Sequence, residues 1–415
     1  MSAARPPVGA RSEAEGEGST KLSGKKSIAT EQIHHPYTPP EGWSAQPVPV
    51  YKGSTVFFEN VADMRKPRPR DGKTYRYGLH GTPTSYTLSA RLCSLEGAEF
   101  CLLTPSGLSA LSLVNLALLS PGDEALLPEN VYYPNRAMLD HTMARFGVKI
   151  RTYDPLDAAA LQLGEKTRLV WLEAAGSITL EFPDLVGLIR RCRAAGVLTA
   201  LDNTWGAGVA FKPFAIEACG GETVAVDISM QALTKYPSGG ADVLAGAVYT
   251  RDPKLHAQLN DTHEHMGLQL ASNDVELLLR GLPTLELRYR AQDATTRALA
   301  RWMQGRPEIA QVLHPSLPDS PGHRFWAEQA GEGAACLFSV VFKPEYGTAQ
   351  VDRYIDALEL FGVGYSWAGP MSLAVPYDIR RGKRSFAEGI VVRFAIGLEA
   401  EADLRADLEQ AFAKL

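Results

Sequence analysis

The run S-M-Q-A-L-T-K-Y-P-S-G-G places Lys235 after an apolar strand and before a glycine-rich turn, where water reaches an amine poorly. Desolvation disfavours the ammonium form, and an amine of lowered pKa is what Schiff-base chemistry requires. The same pattern also fits a strand-end lysine whose head reaches water. Upstream, the strand L-T-A-L ends in Asp202, followed by Asn203, Thr204 and Trp205, at the kind of strand end where parallel sheets bind ligands. Taken alone, that carboxylate could equally cap the next turn. In T-P-S-G-L-S-A, Ser106 and Gly107 close a strand and open a helix, so free N–H groups either cradle a phosphate or sit behind an ordinary N-cap serine.

Tyr132, in N-V-Y-Y-P, stands just beyond a strand and is either a ring that stacks on a flat ligand or a packing tyrosine. Arg393 lies in the apolar strand V-V-R-F-A-I-G, where its guanidinium needs an internal acid or a substrate carboxylate. Joined together, a desolvated lysine and a strand-end acid are the two groups a pyridoxal phosphate site needs, one for the aldehyde and one for the ring nitrogen. Two other candidates are weaker. His263, Glu264 and His265 lack the i, i+4 histidine spacing of H-E-x-x-H and read as surface residues, so no metal is expected. The stretch G-A-G-V-A-F from Gly206 lacks the third glycine of a dinucleotide fingerprint.

These residues need a scaffold that presents strand ends. From about Glu99 the sequence alternates strand and helix: Phe100 to Leu103, a helix from Gly107 to Leu119, Ala125 to Leu127, Arg168 to Leu172, a helix from Asp184 to Ala195, Val197 to Leu201, and Val226 to Met230. That alternation implies an α/β fold with a mostly parallel central sheet covered by helices on both faces. A helical region from Asn273 to Gln304, interrupted at Gly281 and Pro283, leads to strands at Cys336 to Phe342 and Val391 to Ile396. The last helix sets Leu404, Leu408 and Phe412 on one face. The expected division is a disordered tail over 1–45, an arm over 46–80 that opens with a strand at Thr55 to Phe58, a large domain over 81–285, and a smaller C-terminal α/β domain over 286–415.

The chain's 415 residues suffice for two cores, and a net charge of −5 argues against nucleic acid as a partner. Five cysteines, at 93, 101, 192, 219 and 336, form no C-x-x-C pair and suit reduced thiols, hence a cytoplasmic setting. No apolar run is long enough for a membrane span, and the first thirty positions lack a signal-peptide core.

The segments Y-G-L-H-G-T-P-T, S-G-L-S-A, V-Y-Y-P, E-A-A-G-S-I-T, D-N-T-W-G-A-G, Q-A-L-T-K-Y, Y-S-W-A-G-P-M-S-L and R-F-A-I-G-L-E, in this order, resemble the Cys/Met-metabolism (trans-sulfuration) family of fold-type I pyridoxal phosphate enzymes. Within that family the likeness is greatest to bacterial cystathionine beta-lyases. The resemblance covers nearly all of the chain after about residue 45. It implies Lys235 as the Schiff-base lysine, Asp202 as partner of the pyridinium nitrogen, and Tyr132 as the stacking ring. Ser106, Gly107, Leu108 and Thr234 would surround the phosphate, with Tyr77 reaching the phosphate of a neighbouring subunit. Arg393 would clamp the substrate's α-carboxylate, with Ser366 and Trp367 beside it.

Three positions depart from the family's pattern. Leu79 replaces an arginine, which brings His80 forward as a phosphate contact, while Ala232 replaces a serine and Ala175 a proline. The activity implied is beta-elimination of L-cystathionine to homocysteine, pyruvate and ammonia, within methionine biosynthesis, by a homotetramer built as a dimer of dimers. A gamma-lyase, a gamma-synthase or a broad cysteine-S-conjugate beta-lyase are the alternatives within the family. From other functional classes come a Schiff-base aldolase that uses Lys235 without pyridoxal and a degenerate family member that only binds a ligand or partner.

Overall fold

The computed structural model describes residues 26–36, 41–42, 45–67, 74–218, 220–381, 384–385 and 389–415. Seven strands form the first sheet: β1 (Phe100–Thr104), β2 (Glu124–Pro128), β3 (Lys149–Tyr153), β4 (Thr167–Glu173), β5 (Leu198–Asp202), β6 (Ile228–Gln231) and β7 (Gly246–Thr250). Their spatial order is β1-β7-β6-β5-β4-β2-β3. The run from β6 to β3 is parallel, whereas β7 is antiparallel to both its neighbours.

Successive side chains on a strand point to opposite faces, and here both faces are apolar because both are covered. Val170 and Leu172 enter one core with Leu126 and Leu201, while Leu169 and Trp171 enter another with Leu127 and Ala200. Helix starts are chemically specified. Thr82 and Ser85 form a reciprocal capping box ahead of Pro83–Glu96, and Asp184 caps Leu185–Ala194 through the Gly187 N–H.

The second sheet holds β8 (Ile309–Leu313), β9 (Leu337–Phe342), β10 (Gly362–Val363), β11 (Leu373–Tyr377) and β12 (Val391–Ala395), in the order β8-β9-β12-β11-β10. Helix Leu285–Gln304 links the two layers. Leu285 and Tyr289 belong to the core of the first sheet, whereas Leu299, Ala300 and Met303 belong to that of the second. The terminal helix Glu401–Ala411 buries Leu404 and Leu408, with Phe412 just beyond it.

The N-terminal part differs from the sequence expectation. The expected tail lies outside the described residues up to position 25, but Ile28–Ile33 is a helix packed on the body of the protein. Ile28 meets the first core, Gln32 is buried and donates to the Arg91 carbonyl (3.3 Å), and the Ala29 N–H donates to Glu286 (2.9 Å). The apolar residues in this short helix give it a face to bury, which a purely polar tail lacks. Conversely, Thr55 to Phe58 is not a strand. It makes one bridge, Thr55 to Tyr77, and leaves Phe57 93% exposed, because among the described residues no strand lies alongside to continue a ladder. Among the described residues no helix is long and apolar enough to cross a membrane.

Candidate active site

Parallel strands end together, so residues far apart in sequence meet at one sheet edge. Asp202 closes β5, and Lys235 follows β6 after a tight turn in which its own N–H donates to the Ala232 carbonyl (3.1 Å). Thr204 fixes the Asp202 carboxylate by donating from its hydroxyl (2.6 Å) and its N–H (3.0 Å) to Oδ1. Burial raises the Asp202 pKa, while the Thr204 hydrogen bonds and the Lys235 charge pull it back. Burial, reinforced by the Arg393 guanidinium, brings Lys235 down to about 8. The sequence expectation of a desolvated amine is therefore matched by its surroundings.

The second sheet supplies the facing groups. Lys235 Nζ donates to Ser366 Oγ (2.8 Å) and lies 5.6 Å from the centre of the Trp367 ring, which meets the buried Tyr236 edge-on. Arg393 rises from the middle of β12, where it is 8% exposed, and donates through Nη2 to the Ser366 carbonyl (3.1 Å). Its Nε is buried without a hydrogen-bond partner. No carboxylate of the described chain is ion-paired with this arginine, so the internal acid considered from sequence is not found among the described residues.

Ser106 caps helix Gly107–Leu118 by accepting from the Ser109 N–H (3.0 Å), which leaves the first N–H groups of the helix pointing outward. This turn abuts the lysine loop: a Cβ on Gly107 would lie 2.6 Å from Ala232 Cβ, and one on Gly246 would lie 2.4 Å from the Ser106 carbonyl oxygen. Thr234 sits nearby with its hydroxyl bonded to the Ala245 peptide, and Leu108 is exposed. Tyr132 precedes the short helix Tyr133–Ala137. Burial raises its phenol, with Asp202 as the next cause.

Two predicted residues lie elsewhere in the chain. Tyr77 is half-exposed at its bridge to Thr55, and His80 faces Glu264 across 3.2 Å. His80 lines a cavity of about 540 Å³ whose walls include neither Lys235 nor Asp202. His263 borders the same cavity and corrects the surface reading. It is buried, bonded to the Leu103 carbonyl (2.7 Å), and sits on the inward helical face that carries Leu255 and Leu259.

Sequence reasoning missed three residues. Glu173 closes β4 directly beside Asp202, and its Oε2 accepts the Tyr132 N–H (2.7 Å). Tyr377 packs its ring 5.7 Å from the Arg393 guanidinium. Glu96, fully buried at the end of its helix, accepts from Asn203 (2.9 Å), Ser229 (2.8 Å) and Gln231 below the site. The W-L-E and A-L-D strand ends share a pattern that could have flagged Glu173. The other two carry no local signal.

A two-layer α/β fold with a buried lysine and acid at adjoining strand ends defines a class of enzymes built around an aldehyde cofactor. The comparisons make the class specific: a family described as "Cys/Met metabolism PLP-dependent enzyme" matches residues 29–413, and the chain belongs to it. A Rhizobium johnstonii protein named provisionally as a cystathionine beta-lyase is 36% identical over 372 residues, covering 88% of this chain and 90% of its own. Cystathionine beta-lyase MetC of Escherichia coli K12 is 32% identical over 378 residues, 88% of this chain and 93% of its own. Among solved structures, apo CalE6, a methionine gamma lyase from Micromonospora echinospora, superposes with a TM-score of 0.80 at 28% identity, covering 93% of this chain and 99% of its own.

The residues present fit pyridoxal phosphate. The orphaned Arg393 Nε and the outward N–H groups at Ser106–Gly107 are donors suited to anions, and Lys235 is held by a hydroxyl rather than neutralised by a carboxylate.

Proposed function

We propose that this protein is a pyridoxal phosphate-dependent carbon–sulfur lyase that cleaves L-cystathionine at its β carbon, yielding homocysteine, pyruvate and ammonia. The observation that carries the reading is the contact of Lys235 Nζ with Ser366 Oγ beneath the Trp367 ring, with Arg393 anchored on the same Ser366. In this reading Lys235 would hold the cofactor's aldehyde, Asp202 would partner its ring nitrogen, and Tyr132 would stack on its ring. The Ser106–Gly107–Leu108 turn and Thr234 receive its phosphate. When bound, the cofactor supplies an electron sink for the charge left at the α carbon.

The chain's own groups do the rest. Arg393 takes the α-carboxylate, and its hydrogen bond to Ser366 sets its distance from the lysine. Lys235, released when the substrate's amino group takes its place, would be an amine that burial lowers to about 8, and Ser366 Oγ would hold Nζ in line to accept the α proton. Lys235 or the Tyr132 hydroxyl then donates a proton to the departing sulfur. The Trp367 indole narrows the space above the amine, which favours loss at the β carbon over the repositioning that gamma chemistry requires.

The reading includes a homo-oligomer, a tetramer formed as a dimer of dimers. Its support is that Tyr77 and His80 stand away from Lys235 in their own chain, available to a neighbour's phosphate site. A cytoplasmic setting agrees with the free thiols at Cys93, Cys101, Cys192 and Cys336. The deciding experiment is product analysis with L-cystathionine, using separate readouts for pyruvate and 2-oxobutyrate. Pyruvate with free homocysteine is expected, and dominant 2-oxobutyrate with cysteine would move the protein to the gamma-lyases.

A further inference from the structure

Glu173 and Asp202 are register partners at the ends of the parallel strands β4 and β5. Two carboxyl groups so placed cannot both ionise cheaply, and they differ in what surrounds them. Asp202 has the Thr204 hydroxyl and N–H as donors and Lys235 as a nearby cation. Glu173 is 7% exposed and receives the Tyr132 N–H (2.7 Å) and Ser177. The titratable groups around it are Asp202 on β5, Tyr132 after β2, and Tyr153 on β3, whose hydroxyl is engaged with the Trp171 carbonyl (2.7 Å).

We propose that Glu173 is a positioning residue: through the Tyr132 N–H it fixes the start of the Tyr132 segment against the end of β5, so that the tyrosine ring faces the space before Asp202. The assignment rests on the role given to Tyr132 above. Burial, followed by the charge on Asp202, raises Glu173 to about 8, while the Thr204 hydrogen bonds and Lys235 offset the rise that burial imposes on Asp202. A neutral carboxyl offers one oxygen as acceptor and a proton on the other, which is the arrangement a glutamine amide reproduces. An alanine reproduces neither, and it strands the Tyr132 N–H beside the site.

The test compares wild type, Glu173→Gln and Glu173→Ala by two readouts: the dissociation constant for pyridoxal phosphate, from absorbance titration of cofactor-stripped protein, and the pH profile of kcat in the reloaded enzyme. Glu173→Gln, whose amide oxygen still accepts the Tyr132 N–H, is expected to match wild type within about threefold in both at pH 7. Glu173→Ala is expected to weaken cofactor binding and lower kcat by at least about tenfold. Equal damage in Gln and Ala, or none in Ala, overturns the proposal. If Ala does not fold, the isosteric Gln variant decides alone, and a loss of about tenfold or more in it overturns the proposal. The cofactor titration needs no substrate, so a wild type that binds cofactor but leaves cystathionine intact counts against the reaction assignment and not against Glu173.

Discussion

The two walls of the site are built on different principles. On the first-sheet side, Lys235, Asp202 and Ser106 all stand at strand ends, and Glu96 ties that edge together from below by accepting from Asn203, Ser229 and Gln231. On the second-sheet side, Ser366 and Ala368 flank Trp367 with φ of +90° and +63°, backbone that non-glycine residues adopt at a cost of about 1–3 kcal/mol each. The first wall gets its precision from ordinary strand geometry. The second holds an unfavourable backbone so that one hydroxyl, one indole and one guanidinium converge on a single amine. In the proposed reading, strained backbone carries the groups that would select the substrate, whereas the groups assigned to the chemical step stand at or just past strand ends.

If that contrast holds, damage to the first wall stops chemistry and damage to the second redistributes it. Lys235→Ala is expected to give the largest effect, a loss of about 10⁴-fold or more in kcat with an unchanged circular dichroism spectrum. Full lyase activity in that variant would end the proposal. Asp202→Asn should follow, with kcat lower by about 10²–10³-fold and weaker cofactor binding, because an amide cannot balance a protonated ring nitrogen. Wild-type rates in the purified protein would show that the pairing is wrong.

On the second wall, Arg393→Lys is expected to raise KM by about 10- to 100-fold and to change kcat less, since a point charge replaces a planar fork. The opposite split would place Arg393 with the chemical groups. Trp367→Leu should shift the products toward 2-oxobutyrate while total turnover falls only a few fold, about 1 kcal/mol in the ratio. An unaltered ratio would remove the indole from specificity. The smallest change is expected for His80→Ala, a several-fold weaker hold on the cofactor phosphate, about 1 kcal/mol. An unchanged dissociation constant in the stripped protein would take His80 out of the site.

The sequence made the first wall easier to read than the second. Alternating strand and helix locates β2, β4, β5 and β6 to within a residue or two, and strand ends then point to Lys235 and Asp202. The antiparallel β7 was not foreseen. Its segment G-A-V-Y-T looks like any buried strand, and its direction follows only from the helix-free connection after β6. Glu173 was passed over although its W-L-E strand end matches the A-L-D end that carries Asp202, because the pairing of the two strands is not visible along either one. His263 was misjudged because charged neighbours hid the four-residue spacing it shares with Leu255 and Leu259. Ser366 and Trp367 came from the family resemblance, since no periodicity announces a loop of positive φ.

The helix Ile28–Ile33 bears on how the chain assembles during synthesis. Its N–H contact with Glu286 joins residues 257 positions apart. At about 5–20 residues per second, a ribosome needs roughly 10–50 s to deliver the partner after the helix has emerged. Six residues cannot hold a helix alone in water for that time. Its partners arrive at two times: Arg91, which accepts from Gln32, leaves the ribosome early, whereas the Glu286 contact can close only after the start of helix Leu285–Gln304 has left the exit tunnel, so the docking of this short helix is completed late.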